Sequence, residues 1–127
     1  MPDELKLLER LVATPSVSGE EAAVASLVEE WASESGLDVV RDETSVRVEV
    51  RGRSLGATLA LVSHLDVVPP GAGWTRDPFT PTVEGDRLYG RGSGDAKASV
   101  AAMLAAARDV AGGSGLARGR LLVVLGY

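Results

Sequence analysis

Residues 58–64 read TLALVSH. The run is apolar without alternation until its last two residues, the pattern of a strand covered on both faces of a sheet. A Pro/Gly-rich loop, residues 69–81, follows it, and a second run of the same type, LLVVLGY, occupies residues 121–127. Between them the spacing predicts a helix over residues 96–111, with Val100, Met103, Leu104, Ala107 and Val110 on one stripe. Residues 82–90, TVEGDRLYG, carry a Gly-Asp turn and read as a small hairpin, and GGSGLARGR, residues 112–120, reads as a flexible connection.

Upstream, residues 3–13 form a helical pattern with Leu5, Leu8, Leu11 and Val12 on one face, stopped by Pro15. Ser18 and Glu21 have capping-box spacing for a second helix running to about Ser35, with Val24, Leu27, Val28 and Trp31 inward and Gly36 at its end. LDVVRD and TSVRVEV then read as strands, the second with Val46, Val48 and Val50 on one face. The order α, α, β, β, β, loop, α, β predicts an α/β fold, a layered sheet with helices on both faces. Leu59, Leu61, Val100, Leu104, Leu122 and Val124 are the expected core.

The composition is that of an ordinary globular chain, 45% hydrophobic and 24% charged, and long enough at 127 residues to bury a core. A formal net charge of −5 argues against a nucleic-acid backbone or an anionic membrane as partner. With no cysteine, a disulfide framework and a thiolate metal site are both excluded. The first residues, MPDELKLLERLVATPS, do not have the form of a signal peptide, and no apolar run approaches a membrane span, so a cytoplasmic protein is expected.

Chemistry is concentrated in two places. His64 is the only histidine and stands two residues from Asp66. On an extended strand those two side chains point to the same side, at the carboxyl end where ligands bind open α/β sheets. Imidazole is a common metal ligand that a nearby carboxylate orients, but a satisfied histidine beside a turn-forming aspartate fits the same residues. The second place is YGRGSGDAKAS, residues 89–99, where three glycines in five residues precede Asp95. Glycines admit close approach of the backbone to a ligand, while Asp95 alone reads equally as a helix N-cap. Asp95 occupies the position of the third glycine of a dinucleotide fingerprint, and Lys97 follows Ala96 rather than glycine, so both nucleotide-loop patterns fail. If their strand and helix are neighbours, His64 and Asp95 converge, and an aspartate can bridge a metal pair.

The blocks SHLDVVPPG and WTRDPFTPTVEGDRLYGRGSGDAKAS closely resemble the M20 family of zinc aminoacylases, deacylases and carboxypeptidases. The family pattern is S/G-H-x-D-x-V-P, then W-x-x-x-P-F, then G-R-G-x-x-D-x-K-G. All three blocks are present in order, and Ala98 is the one departure, standing where the family usually has glycine. The resemblance implies a catalytic domain of the zinc-exopeptidase type. It implies His64 as ligand of one zinc, Asp95 as the carboxylate bridging two, and Asp66 as the catalytic helper that orients a metal-ligand histidine. It further implies a cis peptide bond at Asp95–Ala96.

By the same resemblance the activity is hydrolysis of an amide bond in an N-acyl amino acid or small peptide. Acetylornithine deacetylase-like or succinyl-diaminopimelate desuccinylase-like chemistry comes first, with carboxypeptidase or dipeptidase activity open. Two Zn2+ ions per site are implied, Co2+ or Mn2+ being alternatives, together with homodimerisation through a separate domain. The general base and remaining ligands, a Glu-Glu pair after a strand like LLVVLGY, then an acidic residue and a second histidine, are expected beyond Tyr127. Residues 1–127 are accordingly expected to be the N-terminal portion of the catalytic domain, and inactive alone. The rival expectation is a non-catalytic relative, truncated or degenerate, serving as a binding or assembly module.

Overall fold

The computed structural model describes residues 1–127. Helix α1 spans Asp3–Val12 and α2 spans Ala22–Glu34; strands β1, Asp38–Arg41, β2, Ser45–Arg51, and β3, Ser54–His64, follow. A hairpin of β4, Thr82–Glu84, and β5, Arg87–Tyr89, leads through an irregular turn at Ser93–Lys97 into α3, Ala98–Gly112, and β6, Arg118–Gly126. No helix is long and apolar enough to cross a membrane. Gly36 closes α2 at φ +74°, where its own N–H and that of Leu37 return to the carbonyls of Ser33 and Ala32.

The main sheet has the order β1-β2-β6-β3. β6 is antiparallel to β2 and parallel to β3, so α3 sits in the long crossover that a parallel pair requires. Register decides which side chains meet the helices. Val46, Val48 and Val50 of β2 lie opposite Leu125, Val123 and Leu121 of β6, and all six are buried. They join Leu7 and Leu11 of α1, Val24, Val28 and Ala32 of α2, and Val100, Leu104 and Ala107 of α3 in one core cluster.

The mixed α/β architecture is therefore present, but all three helices cover one face of the sheet rather than both. The other face carries Arg47, Glu49, Arg51 and Arg120, with Val40 58% and Val62 66% exposed. Three expected core positions follow from this and need correction. Leu122 and Val124 pair with Glu49 and Arg47 and share their outer face, only partly covered. Leu59 faces inward opposite the buried Leu121 but is 63% exposed, because β3 is an edge strand with no neighbour on its outer side. Leu61 is partly buried, while Val100 and Leu104 are fully buried as expected. In α1 the inward residue is Leu7 rather than Leu5. These burials set an order of effects. Leu104→Ala is expected to lower unfolding free energy by about 2–5 kcal/mol, and Leu61→Ala by about 1 kcal/mol. Urea unfolding that reverses this order would reject the packing described.

Candidate metal centre

The centre is assembled by two segments that leave the sheet and its helices at the same end. The first is the exit of β3. His64 pairs in register with Gly126, and the Leu65 N–H continues the ladder to the Gly126 carbonyl. Beyond it the chain is held by the segment after α1. The Val67 N–H donates to the Ser16 carbonyl at 2.9 Å, the Ser18 N–H donates to the Val67 carbonyl at 3.1 Å, and the buried Ser16 hydroxyl donates to the Leu65 carbonyl at 2.7 Å. Asp66 is thus fixed between two anchored neighbours, Leu65 and Val67, both buried.

The second segment is the glycine-rich loop. Gly92 is buried at φ +82°, and a Cβ on it would stand 2.5 Å from Val67 Cγ1, so the loop packs directly on the His64–Val67 segment. Gly92→Ala is therefore expected to cost about 1–3 kcal/mol from the left-handed backbone alone, with contact against Val67 adding to it. An unchanged melting temperature would reject this placement. The Lys97 N–H donates to the Gly92 carbonyl at 2.9 Å, and the Asp95–Ala96 peptide between them is cis, as the family resemblance implied. Lys97 is fully buried, and its Nζ donates to the carbonyls of Leu11 at 2.7 Å and Thr14 at 2.9 Å. Burial pushes its pKa down to about 8.

These two segments bring His64, Asp66 and Asp95 together. His64 Nε2 lies 3.0 Å from Asp95 Oδ1, across 31 residues of sequence. On the other side of the ring, Nδ1 lies 3.0 Å from the Asp66 carbonyl oxygen and 3.2 Å from its Oδ1. Partial burial works against a charged imidazole, but the hydrogen bonds to Asp95 and Asp66 and the two carboxylates outweigh it, so the His64 pKa is raised. Asp66 is held below the usual carboxylate range, first by the hydrogen bond from Ser18 and then, against its burial, by His64. A cavity of about 320 Å3 opens over these groups, bordered by His64, Asp66, Val68, Arg91, Gly94 and Asp95 among others. A larger open hollow beside Glu29 and Asp42 contains none of the three.

Two expectations from local pattern give way here. Ser18 and Glu21 do not form a capping box. The Ser18 hydroxyl donates to Asp66 Oδ2 at 2.6 Å, and Glu21 accepts from the Gly19 N–H at 2.7 Å while α2 starts at Ala22 with no side-chain cap. Asp95 is no N-cap either. The helix begins at Ala98 rather than Ala96, and Asp95, at φ −128° and ψ 96°, turns an exposed carboxylate to His64. Sequence reasoning missed Ser16 and Lys97 as struts of the centre. A serine after a proline and a lysine in a polar loop carry no periodic signal, and only the fold shows their partners.

The family model described as peptidase family M20/M25/M40 matches residues 60–126. A succinyl-diaminopimelate desuccinylase of Rhizorhabdus wittichii is 40% identical over 115 residues, covering 84% of this chain and 30% of that protein. One of Methylibium petroleiphilum is 40% identical over 119 residues, covering 85% and 31%. The chain thus spans a little under a third of the length of the curated relatives it matches. Among solved structures, an M20 family metallo-carboxypeptidase from Sulfolobus solfataricus superimposes with a TM-score of 0.81 at 26% identity, covering 98% of this chain and 30% of that one.

Proposed function

The chain belongs to peptidase family M20/M25/M40, and from that premise we propose that residues 1–127 are the N-terminal portion of the catalytic domain of a zinc-dependent amidohydrolase. Its proposed substrate is an N-acyl amino acid or small peptide, an N-succinylated amino acid first, on the strength of the 40% identity to desuccinylases. The observation that carries the reading is the meeting of His64 Nε2 and Asp95 Oδ1 at 3.0 Å, from separate elements and inside the matched span.

The donor set fits zinc. Imidazole nitrogen and carboxylate oxygen are both zinc ligands. With Nδ1 engaged by Asp66, Nε2 is the ring nitrogen left to bind, and the exposed Asp95 carboxylate offers two oxygens, as a bridge requires. Bound divalent ions supply Lewis acidity and lower the pKa of water. The residues of this chain do the rest of the positioning. His64 and Asp95 would hold the metal, the Asp66 carbonyl and carboxylate set the imidazole's tautomer and tilt, and Lys97 ties the Asp95 loop to α1. A catalytic zinc takes about three protein ligands, and the chain assembles no group of three or more His, Asp or Glu suited to one ion. Residues 1–127 by themselves are therefore expected to bind zinc weakly and to hydrolyse nothing.

The test is amine release by the purified full-length protein from N-succinyl-diaminopimelate, N-acetylornithine and an N-acyl dipeptide. Hydrolysis that EDTA abolishes and Zn2+ restores is expected for at least one. No release from any of them in the presence of Zn2+ would sink the reading.

A further inference from the structure

We propose that Ser18 is a positioning residue of the metal centre, whose hydroxyl pins the Asp66 carboxylate so that Asp66 in turn holds the His64 ring. The inference rests on the reading of His64 and Asp95 as metal-directed residues and assigns a further residue to that site.

The contact is the shortest side-chain bond the centre makes, 2.6 Å from Ser18 Oγ to Asp66 Oδ2. A hydroxyl donating to an ionised carboxylate at that distance is a charge-assisted bond, about twice as strong as a neutral one. A serine hydroxyl has a single proton, so this bond commits it. With Oδ2 taken, Oδ1 is left 3.2 Å from His64 Nδ1. The terminal torsion of an aspartate is broad and roughly two-fold. Absent Ser18, the carboxylate is free to turn away from the ring, and the Asp66 carbonyl at 3.0 Å remains the only fixed acceptor for Nδ1.

Ser18 is placed for this by its backbone. Its N–H is bonded to the Val67 carbonyl, the Glu20 N–H to the Val17 carbonyl, and the Gly19 N–H to the Glu21 carboxylate. The hydroxyl is therefore delivered from a braced turn, across 48 residues of sequence, and does no work for α2, which has no side-chain cap. Nor is it needed to staple residues 16–18 to residues 65–67. The Val67 N–H, the Ser18 N–H and the Ser16 hydroxyl do that without it. A residue that only stapled the fold would leave the centre indifferent to its loss once those three bonds remain.

The experiment uses the full-length protein as wild type, Ser18→Ala and Ser18→Thr. Zn2+ affinity of the apo-protein is measured by competition with a chromophoric chelator, alongside apo-protein melting temperature and kcat and KM on N-succinyl-diaminopimelate. Ser18→Ala is expected to weaken Zn2+ binding by about 10–100-fold, the range for groups that orient a metal ligand. It should lower kcat while leaving KM and apo melting temperature near wild type, and Ser18→Thr, which keeps the hydroxyl, should recover both losses. Wild-type Zn2+ affinity in Ser18→Ala overturns this inference alone. So does a loss accompanied by a matching drop in apo melting temperature, which assigns Ser18 to the fold instead. A wild-type protein that binds no Zn2+ overturns the underlying reading of His64 and Asp95 together with this one.

Discussion

Lys97→Ala is expected to lower unfolding free energy by about 2–5 kcal/mol, the range for truncating a long, fully buried side chain to alanine. Lys97 is fully buried, and its ammonium is the shared donor for the carbonyls of Leu11 and Thr14. These carbonyls stand at and just past the end of α1, where helix geometry leaves oxygens without partners. Losing the donor leaves the Thr14 carbonyl unpaired, at about 1–3 kcal/mol, and the Leu11 carbonyl with only the Thr14 N–H at 3.2 Å, and losing the four-carbon stem opens a cavity beside Gly92. Lys97→Met separates the two contributions, since it fills most of the volume and supplies no donor. It should recover part of the loss and no more. Urea unfolding of the two variants measures this. A loss under about 1 kcal/mol for Lys97→Ala would mean that the lysine does not bridge α1 to the Asp95 loop.

His64→Ala in the full-length protein is expected to reduce kcat/KM at least 100-fold, since even groups that merely orient a metal ligand are worth about 10–100-fold. Stability should change little. The imidazole side chain is 44% exposed, and removing it leaves the Asp66 carboxylate with its bond from Ser18 and the Asp95 carboxylate in solvent. Activity falling with an unmoved melting curve is thus the expected pair of results. Retained activity would take His64 out of the metal site, and a collapse of both would make it a structural residue.

The two stretches that carry the centre are legible in the amino-acid sequence. His64 and Asp66 share one side of an extended segment, and the glycine-rich loop ahead of Asp95 reads as a close backbone approach to a ligand, whereas the group Gly92 approaches in the fold is the Val67 side chain. Partners remote in sequence are not legible there. Ser18 has the spacing of a capping box and bonds Asp66 instead. Asp95 has the look of an N-cap and sits ahead of a helix that starts at Ala98. In both cases a local option worth about 1 kcal/mol lost to a charge-assisted or positional contact that exists only once the segments are packed.

The secondary elements and their order were determined by the sequence itself. Period-2 alternation identified β2, the stripe on α3 identified that helix, Gly36 marked the end of α2, and the Gly85-Asp86 turn marked the hairpin, because each is a short-range preference of backbone and side chain. Which face of the sheet is covered was decided only by tertiary structure. LLVVL and TLALV present apolar residues at both parities, so nothing local distinguishes Leu121 and Val123, which are buried, from Leu122 and Val124, which are not. The choice comes from the antiparallel register with Val46, Val48 and Val50 of β2, whose alternation commits one face to the helices and turns the other, with Arg47 and Glu49, to solvent. The parallel register of β3 on β6, with Lys97 and the segment after α1, sets where His64 and Asp95 meet.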